Sequence, residues 1–462
     1  MAPIKNETVQ KVPRRILGTL LSSLSGGVVP RVGAPYIAIG RTEEIDALAT
    51  SLDRVADGEG ATKFLIGRYG SGKSFLIQLS RGYALERGFV TADADLSPER
   101  KLSGSGGSGL ATYRELMKNI ASKSSPDGGA LPVILGKWFT KIGADLTAEG
   151  FDPAGEEYGL EFARRIMKNL RELEADVGGF DFASVLRAYY EAWRDDDDLR
   201  QSACLKWLRG EFGTRTEARQ ATGIRSLSII GDDNWYDFLK LFTAFVRLAG
   251  YSGLCLYIDE CVNLYKIPNR ISRENNYEKI LAMFNDTMQG RAPGMMIVFG
   301  GTPQFLEDSR RGLYSYEALR SRLADGRFGG ELRSLMQPVI RLRRLSDSEL
   351  YALVIRLTSL HGEYHKWEPR ATEADMRDFL TQSMTREGAE SMITPREIIR
   401  DYVTLLDLLY TNPDKSFADI LGHVQRTTVS AKIDEAEDGE DGGSSPLTAP
   451  PKPAVTLDDI EF

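Results

Sequence analysis

The chain has 462 residues, 42 % of them hydrophobic and 27 % charged, the balance of a soluble globular protein long enough for two or three domains. No apolar run is long enough to span a bilayer, and Ile16–Leu24 is too short and serine-rich for a secretory leader, so a cytoplasmic protein with no membrane partner is expected. The net charge of −8 argues against a wholly basic nucleic-acid binder, and three cysteines without C-x-x-C spacing argue against a disulfide scaffold or a zinc site.

In chain order, an N-terminal segment (1–30) precedes a predicted α/β core (31–345). The stretch Tyr36–Ile45 carries Gly40-Arg41 followed by Glu44. The apolar run Phe64-Leu65-Ile66 reads as a buried parallel strand, and Phe75, Leu76, Leu79, Tyr83 and Ala84 recur at helical spacing. Between them, Gly67-Arg68-Tyr69-Gly70-Ser71-Gly72-Lys73-Ser74 matches G-x-x-x-x-G-K-[ST] without a mismatch. Glycines let backbone N–H groups close on phosphate oxygens at a helix N-terminus. The spacing therefore predicts a nucleoside triphosphate held by Gly67, Tyr69, Gly70, Ser71, Gly72, Lys73, Ser74 and Phe75. Lys73 is expected on the β- and γ-phosphates, and Ser74 on Mg²⁺.

A Gly-Ser run, Ser103–Gly109, opens a stretch to about Gly223 with helical periodicity, for example Leu160, Ala163, Ile166, Met167, Leu170 and Leu173. Asp232–Asn234 cap an amphipathic helix with Trp235, Phe238, Leu239, Phe242, Phe245 and Val246. Leu254–Ile258 is a second buried-strand run, ending in Asp259-Glu260. An acid delivered by a strand beside a phosphate loop suits Asp259 to hold Mg²⁺ and Glu260 to polarise the attacking water. A third run, Met295–Phe299, ends in Gly300-Gly301-Thr302-Pro303. Tyr316–Leu323 places Arg320 and Arg322 near a helix end. From Ser346 the pattern is helical (346–430), with Thr394-Pro395-Arg396 opening a helix. His361 and His365 share a helix face but show no third metal ligand in sequence. The tail (431–462) is acidic and low in complexity, and ends in Val455, Leu457, Ile460 and Phe462 among Asp458, Asp459 and Glu461, the composition of a docking peptide on a tether.

Together these motifs resemble the AAA+ ATPases, nearest their origin-recognition-like branch. The resemblance implies a parallel-sheet P-loop core with flanking helices and a C-terminal all-helical lid. It implies an adenine-side role for Gly40-Arg41, a water-orienting sensor at Thr302, arginine fingers at Arg320 and Arg322 acting on a neighbouring subunit, and a lid arginine, Arg396, reaching back to the nucleotide. Three stretches are more specific: Gly27-Val-Val-Pro-Arg31 through Ile39-Gly-Arg41, Phe64–Phe75, and Ala84–Val90 with Ala94-Asp-Leu-Ser-Pro-Glu-Arg100 and Tyr113-Arg-Glu-Leu116. These resemble the ATP-binding proteins of bacteriophage-exclusion (BREX) defence systems, of the stand-alone BrxD type. That likeness implies a bacterial, anti-phage ATPase using ATP and Mg²⁺. Its implied partners are further copies of itself, helicase or methyltransferase components of the defence system, and double-stranded DNA. One departure stands out: Lys73 and Asp259 lie 186 positions apart (259 − 73 = 186). A compact core needs far fewer, so 103–223 reads as an insertion able to bind a partner or DNA. The rival reading is an ATP-gated switch or DNA-loading scaffold with little turnover; a STAND-type signalling ATPase and a small-molecule kinase are weaker.

Overall fold

Among the described residues five parallel strands form one sheet: β1 (Ala61–Ile66), β2 (Val90–Asp95), β3 (Leu254–Asp259), β4 (Met295–Gly301) and β5 (Val339–Arg341), in the order β2-β3-β4-β1-β5. The computed structural model describes residues 12–104, 106–174, 177–324, 336–385 and 394–422. The acidic tail expected from 431 onward lies outside the described residues. β3 and β4 are buried at every position, as parallel strands covered on both faces must be. Their period of two divides the side chains between two cores: Phe64 and Ile66 go to one, Leu65 to the other.

One face is covered by α2 (Thr42–Ala56) and α3 (Lys73–Glu86), whose Leu48, Leu52, Leu76 and Leu79 join Leu65, Tyr257, Val298 and Ile340. Against the other face pack the helices that lie between β2 and β3 in the chain. These are α4 (Ser108–Lys118), α5 (Leu131–Ala148), α6 (Glu156–Glu174), α7 (Gly179–Arg194), α8 (Asp198–Leu208), α9 (Arg215–Thr222) and α10 (Trp235–Leu248). They share one continuous core with the strands and with Tyr277, Ile280 and Met283 of α12 (Arg270–Met288), which follows the short α11 (Val262–Tyr265). In α6 the buried stripe is Phe162, Ile166, Leu170 and Leu173. Leu160, which periodicity grouped with that stripe, is 74 % exposed.

After β4 come α13 (Pro303–Glu307) and α14 (Glu317–Leu323); after β5 come α15 (Asp347–His365), α16 (Glu373–Thr385) and α17 (Pro395–Thr411). The last three have their own core, and the N-terminal helix α1 (Arg14–Ser25) completes it: Leu17, Leu20 and Leu24 pack with Leu353, Leu357 and Leu406. Capping boxes start α15 (Ser346 with Glu349) and α17 (Thr394 with Glu397), satisfying N–H groups that a helix start leaves unpaired. Among the described residues no helix is long and apolar enough to cross a membrane.

Candidate nucleotide site

The loop Gly67–Gly72 joins β1 to α3 at the C-terminal edge of the sheet. Its first residue is tied to the neighbouring strand tip, the Gly67 N–H donating to the Gly301 carbonyl at 3.1 Å. Gly70 has φ +71°, left-handed backbone that favours glycine. A Cβ there would also overlap the Thr394 side chain at the start of α17. From beneath, the buried Arg41 donates from Nη2 to the Ser71 carbonyl at 2.8 Å and lies 3.5 Å from Glu44. The Lys73 ammonium donates to the Gly67 and Arg68 carbonyls at 2.9 and 3.0 Å. Burial lowers its pKa, and the carboxylates of Asp259 and Glu260 oppose that shift.

Across the sheet edge, the Ser74 hydroxyl donates to Asp259 Oδ2 at 2.7 Å. β4 lies between their two strands, and the approach is open because β4 carries glycine there: a Cβ on Gly300 would overlap Asp259 Oδ1. That same Oδ1 accepts the Glu260 N–H at 2.8 Å. Glu260 has φ +57°, a conformation that costs a residue with a side chain about 1–3 kcal/mol, and its exposed side chain faces the cleft. A hydroxyl and a carboxylate oxygen, both hard donors, fit Mg²⁺ and suit soft metals poorly.

The cleft above this loop encloses about 1020 Å³ of space open to solvent. Lys73, Ser74, Glu260 and Arg396 line its polar half; Val28, Val29, Pro30, Ile37, Ile39 and Leu353 line an apolar half. One half suits phosphates and the other a flat base. A wall from the C-terminal helices was expected, though not its residues Leu353 and Ile399; the Gly27–Pro30 loop after α1 was not expected as a wall. The signal of that loop was present as an apolar pair, Val28-Val29, held between Gly27 and Pro30 and 61 % exposed at Val28.

The family model for the BREX system ATP-binding protein BrxC/D matches residues 12–425. The chain belongs to the BrxC/D family. Membership makes it an ATP-binding protein of a phage-defence system. No curated protein matches the sequence.

The remaining residues singled out in this BrxC/D chain separate by position. Tyr69 is 75 % exposed at the loop tip; Arg396 Nη1 donates to its hydroxyl at 3.4 Å, with the guanidinium 5.7 Å from the ring centroid. Phe75 also lines the cleft, whereas Gly67 and Gly40 are outside the lining, Gly40 packing on Glu349 and Leu345. Thr302 sits one residue past the β4 tip, where its hydroxyl accepts the Phe305 N–H at 3.3 Å as the cap of α13. Arg320 and Arg322 are exposed on α14 and do not line this cleft; Arg322 donates to the Ala318 carbonyl (2.7 Å) and Asn285 Oδ1 (3.2 Å).

Sequence reasoning passed over Asp95. It is paired in register with Asp259, and its pKa is pushed up by burial and by the Asp259 and Glu260 charges. The Leu96 N–H extends the ladder to the Asp259 carbonyl (3.0 Å), and Asn263 Nδ2 donates to the Leu96 carbonyl (2.8 Å). The Asp-Leu-Ser-Pro-Glu-Arg block is thereby anchored beside the acids of β3. The histidine pair does acquire a third neighbour: His361, His365 and Asp407 have potential ligand atoms within 4.8 Å. Yet the Trp367 indole N–H donates to His361 Nδ1 at 3.0 Å, so the proton is on Nε2, which donates to Asp407 at 3.0 Å. Both ring nitrogens of the fully buried His361 are committed, and the cluster is a hydrogen-bonded brace between α15 and α17.

Proposed function

We propose that the protein is a Mg²⁺-dependent ATPase of AAA+ type, of the BrxD kind, that hydrolyses ATP in the cleft between the sheet edge and the C-terminal helices. The observation that carries this reading is the 2.7 Å contact of Ser74 with Asp259, beside the cleft-facing Glu260. When bound, Mg²⁺ would be held by Ser74 and, through its water shell, by Asp259, and would neutralise charge on the β- and γ-phosphates. Lys73 would leave its two carbonyls for phosphate oxygens, a stronger charge-assisted partner. Glu260 accepts the hydrogen bond that orients the attacking water. Arg396 supplies positive charge from the lid side as negative charge spreads in the transition state.

The strand order supports the AAA+ assignment, because β4 stands between β1 and β3 and its last residue, Gly301, accepts the Gly67 N–H at the start of the loop. Arg320 and Arg322 are exposed and do not line their own cleft, which suits fingers acting on a neighbouring copy. A switch with rare turnover has its own support: the loop touches the C-terminal helices directly, at Gly70–Thr394 and Tyr69–Arg396, so nucleotide binding changes that contact first. ATP turnover measured against protein concentration, with and without double-stranded DNA, separates the readings. A composite-site ATPase gives turnover that rises faster than linearly and increases with DNA. Turnover that is low, linear and indifferent to DNA overturns it in favour of the switch.

A further inference from the structure

A second, larger groove lies on the helices between β2 and β3, lined by α5, α6 and α10 and enclosing about 2260 Å³ of space open to solvent. Its floor is apolar, from Ile142, Met167, Ala244, Leu248 and Pro293. Its rim carries Lys141, Arg164, Arg165, Lys168, Arg171 and Arg247 against Asp145, Glu161 and Glu172. Six cations against three carboxylates leave a local positive surplus on a chain whose net charge is −8. Part of that charge is already used. Arg164 and Arg165 pair with Glu161, Arg165 also with Glu149, and Lys141 donates to the Leu248 carbonyl at 3.1 Å. Among the described residues, the side chains of Lys168, Arg171 and Arg247 make no hydrogen bond or ion pair.

We propose that this groove receives the chain's own segment Val455–Phe462, within the same molecule. That segment offers four apolar side chains, Val455, Leu457, Ile460 and Phe462, for the floor. Its three acids, Asp458, Asp459 and Glu461, match the surplus of the rim. Reach is no obstacle. The stretch from 423 to 462 can extend on the order of 100 Å, against a radius of gyration of roughly 22 Å for a folded body of this size. A tether of this kind also raises the effective concentration of the segment far above that of a separate molecule. Nucleic acid fits the groove less well. No lining residue is aromatic, so there is no platform for a base to stack on, and three carboxylates would face its phosphates.

The groove lies away from the phosphate loop. The Arg247 side chain runs against Gly58 and Gly294, next to the N-terminal ends of β1 and β4. Occupancy therefore regulates what docks on these helices and leaves the nucleotide cleft open.

Two experiments on the full chain test the proposal. The native cysteines described are all buried, so Lys168→Cys with Ile460→Cys should form one oxidised cross-link within a monomer. No cross-link, or a cross-link only between molecules, overturns the proposal. A fluorescent peptide of residues 454–462 should bind the variant Leu457→Asp/Ile460→Asp/Phe462→Asp at least tenfold more tightly than it binds the wild type, whose groove is filled. Adding Lys168→Glu/Arg171→Glu should erase that gain, as should high salt in large part. Equal binding to both proteins, or indifference to the charge reversal, overturns it. So does a labelled DNA duplex that loses binding on charge reversal while the peptide binds neither protein.

Discussion

The two helical regions of this molecule are built on opposite terms. Helices α4 to α10 interrupt the sheet in sequence but share its core, with Trp138, Phe182 and Phe242 in the same cluster as Phe64 and Ile258. The C-terminal helices follow the sheet in sequence yet keep a core of their own, closed by α1 from the other end of the chain. The first region is therefore bound to move with the sheet. The second touches the phosphate loop through a few contacts, such as Gly70 with Thr394 and Tyr69 with Arg396. Motion linked to nucleotide belongs to that weak seam, because a large continuous apolar core resists it.

The widest break in the comparison comes from truncating one side chain in each core. Trp138→Ala should cost about 3–5 kcal/mol and Leu406→Ala about 2–5 kcal/mol. Hydrogen exchange should show the sheet strands losing protection in the first variant. In the second, the loss should be confined to α1, α15, α16 and α17. Loss spread over the sheet in both would remove the distinction between the regions.

A smaller effect is expected inside the site. Gly300→Ala places a methyl against Asp259 Oδ1 and should lower ATP turnover about 100-fold, the scale of an ångström misplacement. Steady-state kinetics checks it, with unchanged thermal stability as the control. Turnover near the wild-type value would show that the Asp259 position is not critical.

The smallest effect concerns the seam on the C-terminal side. Glu349 accepts a bidentate pair of bonds from Arg343 and caps α15, and the Arg343 guanidinium with the Ser346 N–H and hydroxyl holds its pKa down at about 2, from an ordinary 4.5. A carboxyl whose folded pKa is depressed contributes stability above its unfolded pKa and loses it as pH falls through the folded one. Glu349→Gln should therefore destabilise the C-terminal helices by about 0.5–1 kcal/mol near neutrality. The difference between variant and wild type should fade between pH 4.5 and about 2. Thermal melts across that range check it; a difference independent of pH would assign the effect to packing.

What the sequence made legible is local structure. The glycine loop between β1 and α3, the acids closing β3 and the helical C-terminal stretch were readable because loop glycines, apolar strand runs and helical periodicity are written in neighbouring residues. Contacts between distant segments were not. Nothing local ties α1 to α15 and α17, or makes Val28–Pro30 a wall of the cleft, since those depend on how the two ends of the chain meet. Asp95 was passed over for the same reason: its place beside Asp259 is a matter of strand register. Arg41 showed only as part of a short motif, while its buried grip on the Ser71 carbonyl needed the fold. His361 and His365 read in sequence as a pair with no third ligand; Asp407 and Trp367, which occupy both ring nitrogens of His361, meet it only in the fold.

The most direct test of the account is Glu260→Gln, followed by ATP affinity and single-turnover hydrolysis on the same preparation, with Lys73→Ala as the reference for lost binding. ATP affinity in Glu260→Gln should stay within a few-fold of wild type while hydrolysis falls about 100-fold or more, on the scale of losing a catalytic base. Hydrolysis at the wild-type rate would remove Glu260 from the chemistry, and near-normal ATP affinity in Lys73→Ala would contradict the cleft as the nucleotide site.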